Sequence, residues 1–428
     1  MREEAVNRGL LAADASGTAF GRLAEAMSSI CAAQPRILVA DDQPDLIDAL
    51  RLLLKREGIH VDAVGSPDAA LAAVAGGSFD LLLMDLNYTG DTTSGREGID
   101  LLSRVQALDR ELPIVVMTGW GSVDIAVEAM RRGVRNFVQK PWDNAQLLTI
   151  LRTEVDAGRA RRQQAAVERR ELDEARRIQR KLLPAVMPPL EGWEVAVSWQ
   201  PASGVGGDCF DAISFGPGRI GVSIADVVGK GIPAALLMSN LQAAVRAFAT
   251  DTTGPAELCQ QVNRILCGRI AEGRFISFFY CIVDSDDATL TFANAGHYPP
   301  ILVRADGSVE RLATGGPVLG VFPDGGYDEG RVALRAGDRI VLYTDGITDV
   351  CNAADEEFGD ERLTGLAVEN RACSAPALQA RLANAVDEFS DGRFQDDATL
   401  IVMAADDLSL RLGPVTKCTG KVRNASDL

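Results

Sequence analysis

Between Arg36 and Arg152 the chain alternates short apolar runs with helical stretches five times, a pattern that leaves few folds open. Strands are predicted at Arg36–Ala40, His60–Val64, Asp80–Met84, Pro113–Met117 and Asn136–Gln139, and Leu46–Arg56 carries apolar residues at helical spacing. Repeated βα units fold as a doubly wound parallel sheet with helices on both faces, and such sheets bind ligands at the carboxyl ends of their strands. The polar residues fall there: Asp41 and Asp42 after the first run, Asp85 after the third, Thr118 at the fourth and Lys140 at the fifth. Singly, each has an ordinary reading, the two aspartates as helix caps and the lysine as a surface ion pair.

A second constellation begins in the stretch Gly206–Gly231, GGDCFDAISFGPGRIGVSIADVVGKG. Asp208 opens the run Cys209–Ser214, and Asp226 follows the alternating Ile220, Val222 and Ile224. Downstream, Asp345 follows Arg339–Tyr343 and precedes Gly346, while Asp396 and Asp397 precede Ala398–Val402. Glycine turns let carboxylates come close to a ligand, and hard divalent cations take oxygen ligands. One Asp-Gly turn is an ordinary solvated hairpin; four acids at strand ends suggest a shared metal centre.

Residues 36–152 resemble a two-component receiver domain. The resemblance implies that Asp85 accepts a phosphoryl group from a histidine kinase and that Mg²⁺ is held by Asp41, Asp42, Asp85 and the carbonyl of Asn87. It makes Lys140, Thr118 and Phe137 the switch residues. The loop from Leu86 to Gly98 is longer and more polar than is usual in that family.

The ordered set GGDCFD, ADVVGKG, ANAGHYPP, YTDGITD and DDAT looks like the SpoIIE-like branch of the PPM (2C-type) protein phosphatases, over roughly Leu190 to Ala405. This resemblance implies an α+β domain with a central β-sandwich flanked by helices. It makes Asp208, Asp226, Asp345 and Asp396 the catalytic set, holding two Mn²⁺ or Mg²⁺ ions with the carbonyl of Val227. Asp208 and Asp226 would bridge the two ions, and Asp345 and Asp396 would complete one shell. The reaction implied is hydrolysis of phosphoserine or phosphothreonine on a protein, commonly an anti-sigma-factor antagonist. Asp397 stands where many relatives have asparagine, and Asp211 is close enough in sequence to support the acids. His297, beside a turn in ANAGHYPP, is expected to be structural, as is His60. No counterpart of the phosphate-binding arginine of the eukaryotic-type enzymes is identified.

Five segments follow: residues 1–34, a tail or short helix with Phe20, Leu23, Met27 and Ile30 at helical spacing; 35–152, the receiver; 153–189, a helical, coiled-coil-like linker; 190–406, the phosphatase; and 407–428, a tail. In the linker, Leu172, Ala175, Gln179 and Leu182 form a thin seam. It is expected to pair two chains as a homodimer and to pass the receiver's state to the segment Gly229–Leu237. A formal charge of −17 over 428 residues argues against nucleic acid as a partner. Eight cysteines without a C-x-x-C pair point to reduced thiols and a cytoplasmic protein, and no apolar run approaches membrane-spanning length. The expected function is a response regulator with a phosphatase output. The alternative is a non-catalytic adaptor that uses the phosphatase fold for docking; a DNA-binding regulator would need a basic recognition helix that is not found.

Overall fold

The computed structural model describes residues 34–88, 96–119, 128–202, 204–270 and 273–405. The helix expected around Phe20–Ile30, the centre of the loop after Asp85 and the carboxyl-terminal tail lie outside the described residues. The chain divides into two compact units, Met1–Glu168 and Arg169–Leu428.

In the first unit, strands β1 (Arg36–Ala40), β2 (His60–Val64), β3 (Leu81–Asp85), β4 (Ile114–Thr118) and β5 (Asn136–Gln139) form a parallel sheet in the order β2-β1-β3-β4-β5. Helices α1 (Pro44–Arg56), α2 (Pro67–Gly76), α3 (Arg96–Leu108) and the start of α4 (Asn144–Leu182) cover it. Side chains alternate across a strand, so Ile37, Val39, Leu81, Leu83, Val115 and Met117 join Leu50 and Leu54 of α1 and Leu147, Leu151 and Val155 of α4 in one core. Leu38, Leu82, Met84, Ile114 and Val116 join Leu71, Leu101, Leu102 and Val105 in the other. Coverage of both faces is why these strands read as continuous apolar runs rather than alternating ones. Helix α2 starts where Ser66 accepts a hydrogen bond from the Ala69 N–H at 3.3 Å and Pro67 occupies the first turn.

Helix α4 begins at Asn144, well before the change of composition at Arg152 that suggested its start. The stripe Leu147, Leu151, Val155 recurs every four residues and packs on the sheet, so the composition change marks new surroundings for one continuous helix.

In the second unit, β7 (Cys209–Ser214), β8 (Arg219–Val227), β9 (Ile276–Asp284), β10 (Thr289–Ala295) and the short β13 (Gly315–Gly316) form one sheet, with β14 (Gly330–Ala333) also paired to β10. The other sheet runs β12 (Val309–Arg311), β11 (Ile301–Val303), β15 (Arg339–Tyr343), β16 (Ala398–Ala405), β6 (Trp193–Gln200). Along β6, β15 and β16 the side chains part in strict alternation. Val195, Val197, Trp199, Ile340, Leu342, Ile401 and Met403 share a core with β7 to β10. Ala196, Val341, Tyr343, Leu400 and Val402 pack instead with α8 (Asp360–Glu369) and α9 (Ala375–Phe389). Helices α5 (Ile232–Phe248) and α6 (Pro255–Leu266) pack against the first sheet, which completes the helix-flanked sandwich that the resemblance implied. Four chain ends of this sandwich carry the predicted acids: the start of β7, the end of β8, the end of β15 and the start of β16.

Candidate functional site

At the carboxyl edge of the parallel sheet, Asp41 is fully buried and Asp85 nearly so. The Lys140 ammonium, placed by the end of β5, donates to Asp41 Oδ2 at 2.8 Å and to Asp85 Oδ2 at 2.7 Å. Burial raises the Asp85 carboxyl above its ordinary range despite these bonds. Burial alone would disfavour the Lys140 ammonium, but its bonds to Asp41 and Asp85 outweigh that and hold it charged above its ordinary value. Asp41 Oδ1 also accepts from the Gln43 N–H at 2.9 Å, a contact within the turn before α1; Gln43 is the N-cap and α1 has no side-chain cap, so the reading of these aspartates as helix caps is not met. Asp41, Asp42 and Asp85 each offer an oxygen within 4.8 Å of the others'. Asn87 adds a buried side-chain oxygen with no hydrogen-bond partner, and its N–H donates to Asp85 Oδ1 at 3.3 Å. This oxygen-only set fits a hard divalent cation. Thr118 is buried at the end of β4, whereas Phe137 on β5 stands 42% exposed.

The second site draws on both sheets of the sandwich. Asp208 is 1% exposed and precedes β7; its Oδ2 accepts from Thr344 Oγ1 at 2.7 Å and Thr399 Oγ1 at 2.6 Å. Its Oδ1 is buried without a partner, an orphaned acceptor of the kind a cation satisfies. Asp226 lies near the end of β8, opposite Ser277 of β9. Asp345 opens the single-turn helix α7 (Asp345–Thr348), and Asp396 sits just before β16. Asp345 and Asp396, with Lys230, Gly346, Asp349 and Gln395, line a polar cleft of about 120 Å³. Lys230 pairs with Asp396 Oδ2 at 2.9 Å and donates to the Gln395 carbonyl.

Mutual repulsion is written into these acids. Burial, then Asp345, Asp396 and Asp397, push Asp226 up to about 7. Burial, then Asp396 and Asp349, push Asp345 up to about 6. Burial, then Asp226 and Asp397, hold Asp208 well above its ordinary value. Such a cluster binds protons unless cations replace them. Among the described residues, Asp41, Asp42 and Asp85 are the acids whose oxygens lie within 4.8 Å of one another, and no three of Asp208, Asp226, Asp345 and Asp396 do so.

Close backbone approach keeps the cleft in shape. A Cβ added at Gly346 would fall 2.0 Å from the Asp397 carbonyl oxygen, and one at Gly207 would fall 2.7 Å from the Val227 carbonyl oxygen, the proposed ligand. Asp397 is turned to this scaffold: its carboxylate accepts from the N–H groups of Ala202 at 2.8 Å and Gly207 at 2.6 Å, fixing the loop that carries Asp208. Asp211 is engaged elsewhere, by Arg246 at 2.6 and 2.7 Å and by Gln242. His297 is buried, and burial pushes it down to about 4, so it is neutral; its Nδ1 meets Ser277 Oγ at 2.8 Å. Asn294 accepts from its N–H and donates to its carbonyl, a stapled turn that agrees with the structural reading. His60 is exposed beside Asp62.

Sequence reasoning missed Thr344, Thr399, Lys230 and Asp349, although all stand inside or beside the quoted motifs YTDGITD, DDAT and ADVVGKG. It also missed Gln179 of α4, whose amide donates to the Gly206 carbonyl at 2.6 Å and accepts from the Gly206 N–H at 3.1 Å. A buried polar residue in the thin apolar seam was the available signal.

Residues 37–152 match the response regulator receiver domain, and residues 216–406 match Stage II sporulation protein E (SpoIIE). Protein IcfG of Synechocystis sp. is 27% identical over 287 residues, covering 60% of this chain and 44% of IcfG. Phosphoserine phosphatase RsbU of Bacillus subtilis is 30% identical over 234 residues, covering 54% of this chain and 69% of RsbU. The chain thus spans under half of one of these curated relatives and about two thirds of the other. Among solved structures, the SiaA-PP2C domain of Pseudomonas aeruginosa aligns over 56% of this chain and 100% of its own, with a TM-score of 0.50 at 23% identity, a likeness of fold.

Proposed function

Because this chain belongs to the SpoIIE family of phosphatases and carries a receiver domain ahead of the catalytic fold, we propose that it is a response regulator whose output is dephosphorylation of a protein. A histidine kinase phosphorylates Asp85, with Mg²⁺ held by Asp41, Asp42, Asp85 and the Asn87 carbonyl. The output domain then hydrolyses phosphoserine or phosphothreonine on a partner, for which an anti-sigma-factor antagonist is the candidate.

The observation that carries the phosphatase reading is the placement of Asp208, Asp226, Asp345 and Asp396 at strand ends of both sheets, near enough for their charges to act on one another, with the buried Asp208 Oδ1 left unpartnered. With the Val227 carbonyl these residues would hold two Mn²⁺ or Mg²⁺ ions. Bound there, the ions supply a hydroxide nucleophile at neutral pH and neutralise phosphoryl oxygens. The chain's own groups do the positioning. Thr344 and Thr399 fix Asp208, and Asp397 fixes its loop. Lys230 sets the place of Asp396 and offers a cation to an incoming phosphate.

Control is proposed to pass through α4. Gln179 and Arg176 bond to the Gly204–Gly206 loop ahead of Asp208, and the Leu182 carbonyl accepts from Gln242 of α5. The exposed Val167 and Ile178 of α4 support pairing of two such helices in a homodimer.

The test is manganese-dependent hydrolysis of p-nitrophenyl phosphate, with and without beryllofluoride, by the wild type and by Asp396→Asn and Asp85→Asn variants. Loss of turnover in the first and loss of the beryllofluoride response in the second are expected. No turnover on this ester or on a phosphorylated protein would favour the adaptor.

A further inference from the structure

Two exposed aromatic rings stand beside the acids of the second unit. Asp226 of β8 lies opposite Ser277 of β9, and the ladder runs one step past the start of β9, where the Val228 N–H donates to the Phe275 carbonyl at 3.1 Å. Side chains alternate along a strand, so Phe275, two residues before Ser277, shares a face with Asp226 and is its diagonal neighbour, a separation that aromatic side chains span. Phe275 is 37% exposed there.

Tyr298 comes to the same acids from β10. His297 Nδ1 meets Ser277 Oγ at 2.8 Å and Asn294 staples the turn, so the residue after His297 is held beside β9. The Tyr298 ring lies 5.9 Å from that of Tyr343, centroid to centroid. Tyr343 is buried two residues before Asp345, and its hydroxyl donates to Asp360 and accepts from Arg311, which makes it a fixed support. Burial, and then the charges of Asp349, Asp345, Glu357 and Asp226, hold the Tyr298 phenol above its ordinary value, so it lies within the field of the site's acids. Its side chain is 40% exposed.

Other apolar side chains gather at this end of the sheet. Leu319 and Ile276 exchange backbone hydrogen bonds in both directions, which brings the exposed Val321 and Phe322 up to the start of β9. Beyond Leu190, the other large hydrophobics exposed among the described residues are Ile232 and Leu236, on the first turns of the helix that follows Lys230, and Val309 on β12. Single exposed apolar residues are ordinary, but a group of them around an acid site marks a contact surface.

We propose that Phe275 and Tyr298 are specificity residues that seat the polypeptide flanking the phosphorylated serine or threonine, so that the favoured substrate is a protein segment with apolar side chains next to that residue. The proposal rests on the phosphatase reading: a phosphate delivered to Asp226 brings its own chain with it, and that chain is what covers rings the fold leaves in water. Rigid rings suit the task because ordering them on binding costs little entropy.

The probes are two fluorescein-labelled phosphoserine peptides of equal length and charge, one with leucine and one with glycine on both sides of the phosphoserine. With manganese, the full chain should favour the leucine peptide by about tenfold in kcat/KM, through KM, as burial of an apolar side chain against a ring would give. Phe275→Ala combined with Tyr298→Ala should erase the preference, and Tyr298→Phe, which keeps the ring, should retain it. A wild type without the preference, or a double variant that keeps it, would overturn the proposal. An equal loss on both peptides would mark the rings as structural, and dissociation of a dimer in the double variant with the preference intact would give them to a second copy; either result overturns it. Should the wild type hydrolyse neither peptide, the phosphatase reading fails and fluorescence anisotropy on the same protein decides the role of the rings. Tighter binding of the leucine peptide, lost in the double variant, would then sustain that role, and equal or absent binding would refute it.

Discussion

Asp208 depends on two hydroxyls that have no other acid to serve, Thr344 and Thr399, both fully buried. A hydrogen bond to a charged group is worth about 1.5–3 kcal/mol, so Thr399→Val should raise the manganese concentration for half-maximal turnover by about tenfold or more. Assay of p-nitrophenyl phosphate hydrolysis across a manganese series checks this. The acids also set a pH dependence. Asp226 and Asp345 titrate higher in the folded protein, at about 7 and about 6, than in an unfolded chain, where both lie at 3.8. Between those limits the folded state holds more protons, so this stabilisation is complete below the ordinary carboxylate range and is lost as pH rises through about 6 and about 7. The metal-free melting temperature should therefore fall between pH 5 and pH 8, and added Mn²⁺ should restore more at pH 8. A flat metal-free profile, measured in chelator, would contradict it. The acids were legible because glycine turns and strand ends frame them. The threonines were not, since a hydroxyl beside an aspartate looks the same in sequence whether it donates to that acid, to another, or to water.

At the scale of the element, α4 is the clearest case of function hidden in pattern. Gln179 makes a paired bond to Gly206, two residues ahead of Asp208. Gln179→Ala would strand a buried N–H and carbonyl, each costing about 1–3 kcal/mol. Turnover should fall at least tenfold while far-ultraviolet circular dichroism stays near wild type; unchanged turnover would release α4 from any part in positioning the loop. The strands with strong patterns, such as Arg36–Ala40 and Arg339–Tyr343, were read to the residue. Those that escaped lack a pattern to read: β12 is exposed throughout, β13 is two glycines and β14 is half exposed. Helix α8 contains Gly365, which weakens its local signal, and its hold on the fold comes from Leu363 and Ala367 packing in a core assembled from distant strands.

For the whole molecule, the cores on the two faces of the parallel sheet and those of the sandwich are separate sets of residues, one pair in each unit. Scanning calorimetry should resolve two transitions. Mg²⁺ with beryllofluoride should raise one and Mn²⁺ the other, by ligand linkage, and a single transition moved by both would refute independent cores. The division between units was legible only as a change of composition, because the backbone that crosses it does not change.

That crossing has a consequence of its own. From Gln163 to Glu171 helix α4 is almost entirely exposed, with a local bond from Gln164 to Glu168 at 2.9 Å. A free helix shorter than about 12–15 residues is marginal in water, so this stretch stays wound because both of its ends are held. Trypsin cuts only backbone that unwinds, and Arg169 and Arg170 lie in the middle of it. The rate of nicking there is thus a gauge of grip: it should rise in Gln179→Ala, where one end is loosened, and its response to beryllofluoride would report whether phosphorylation tightens or slackens the other.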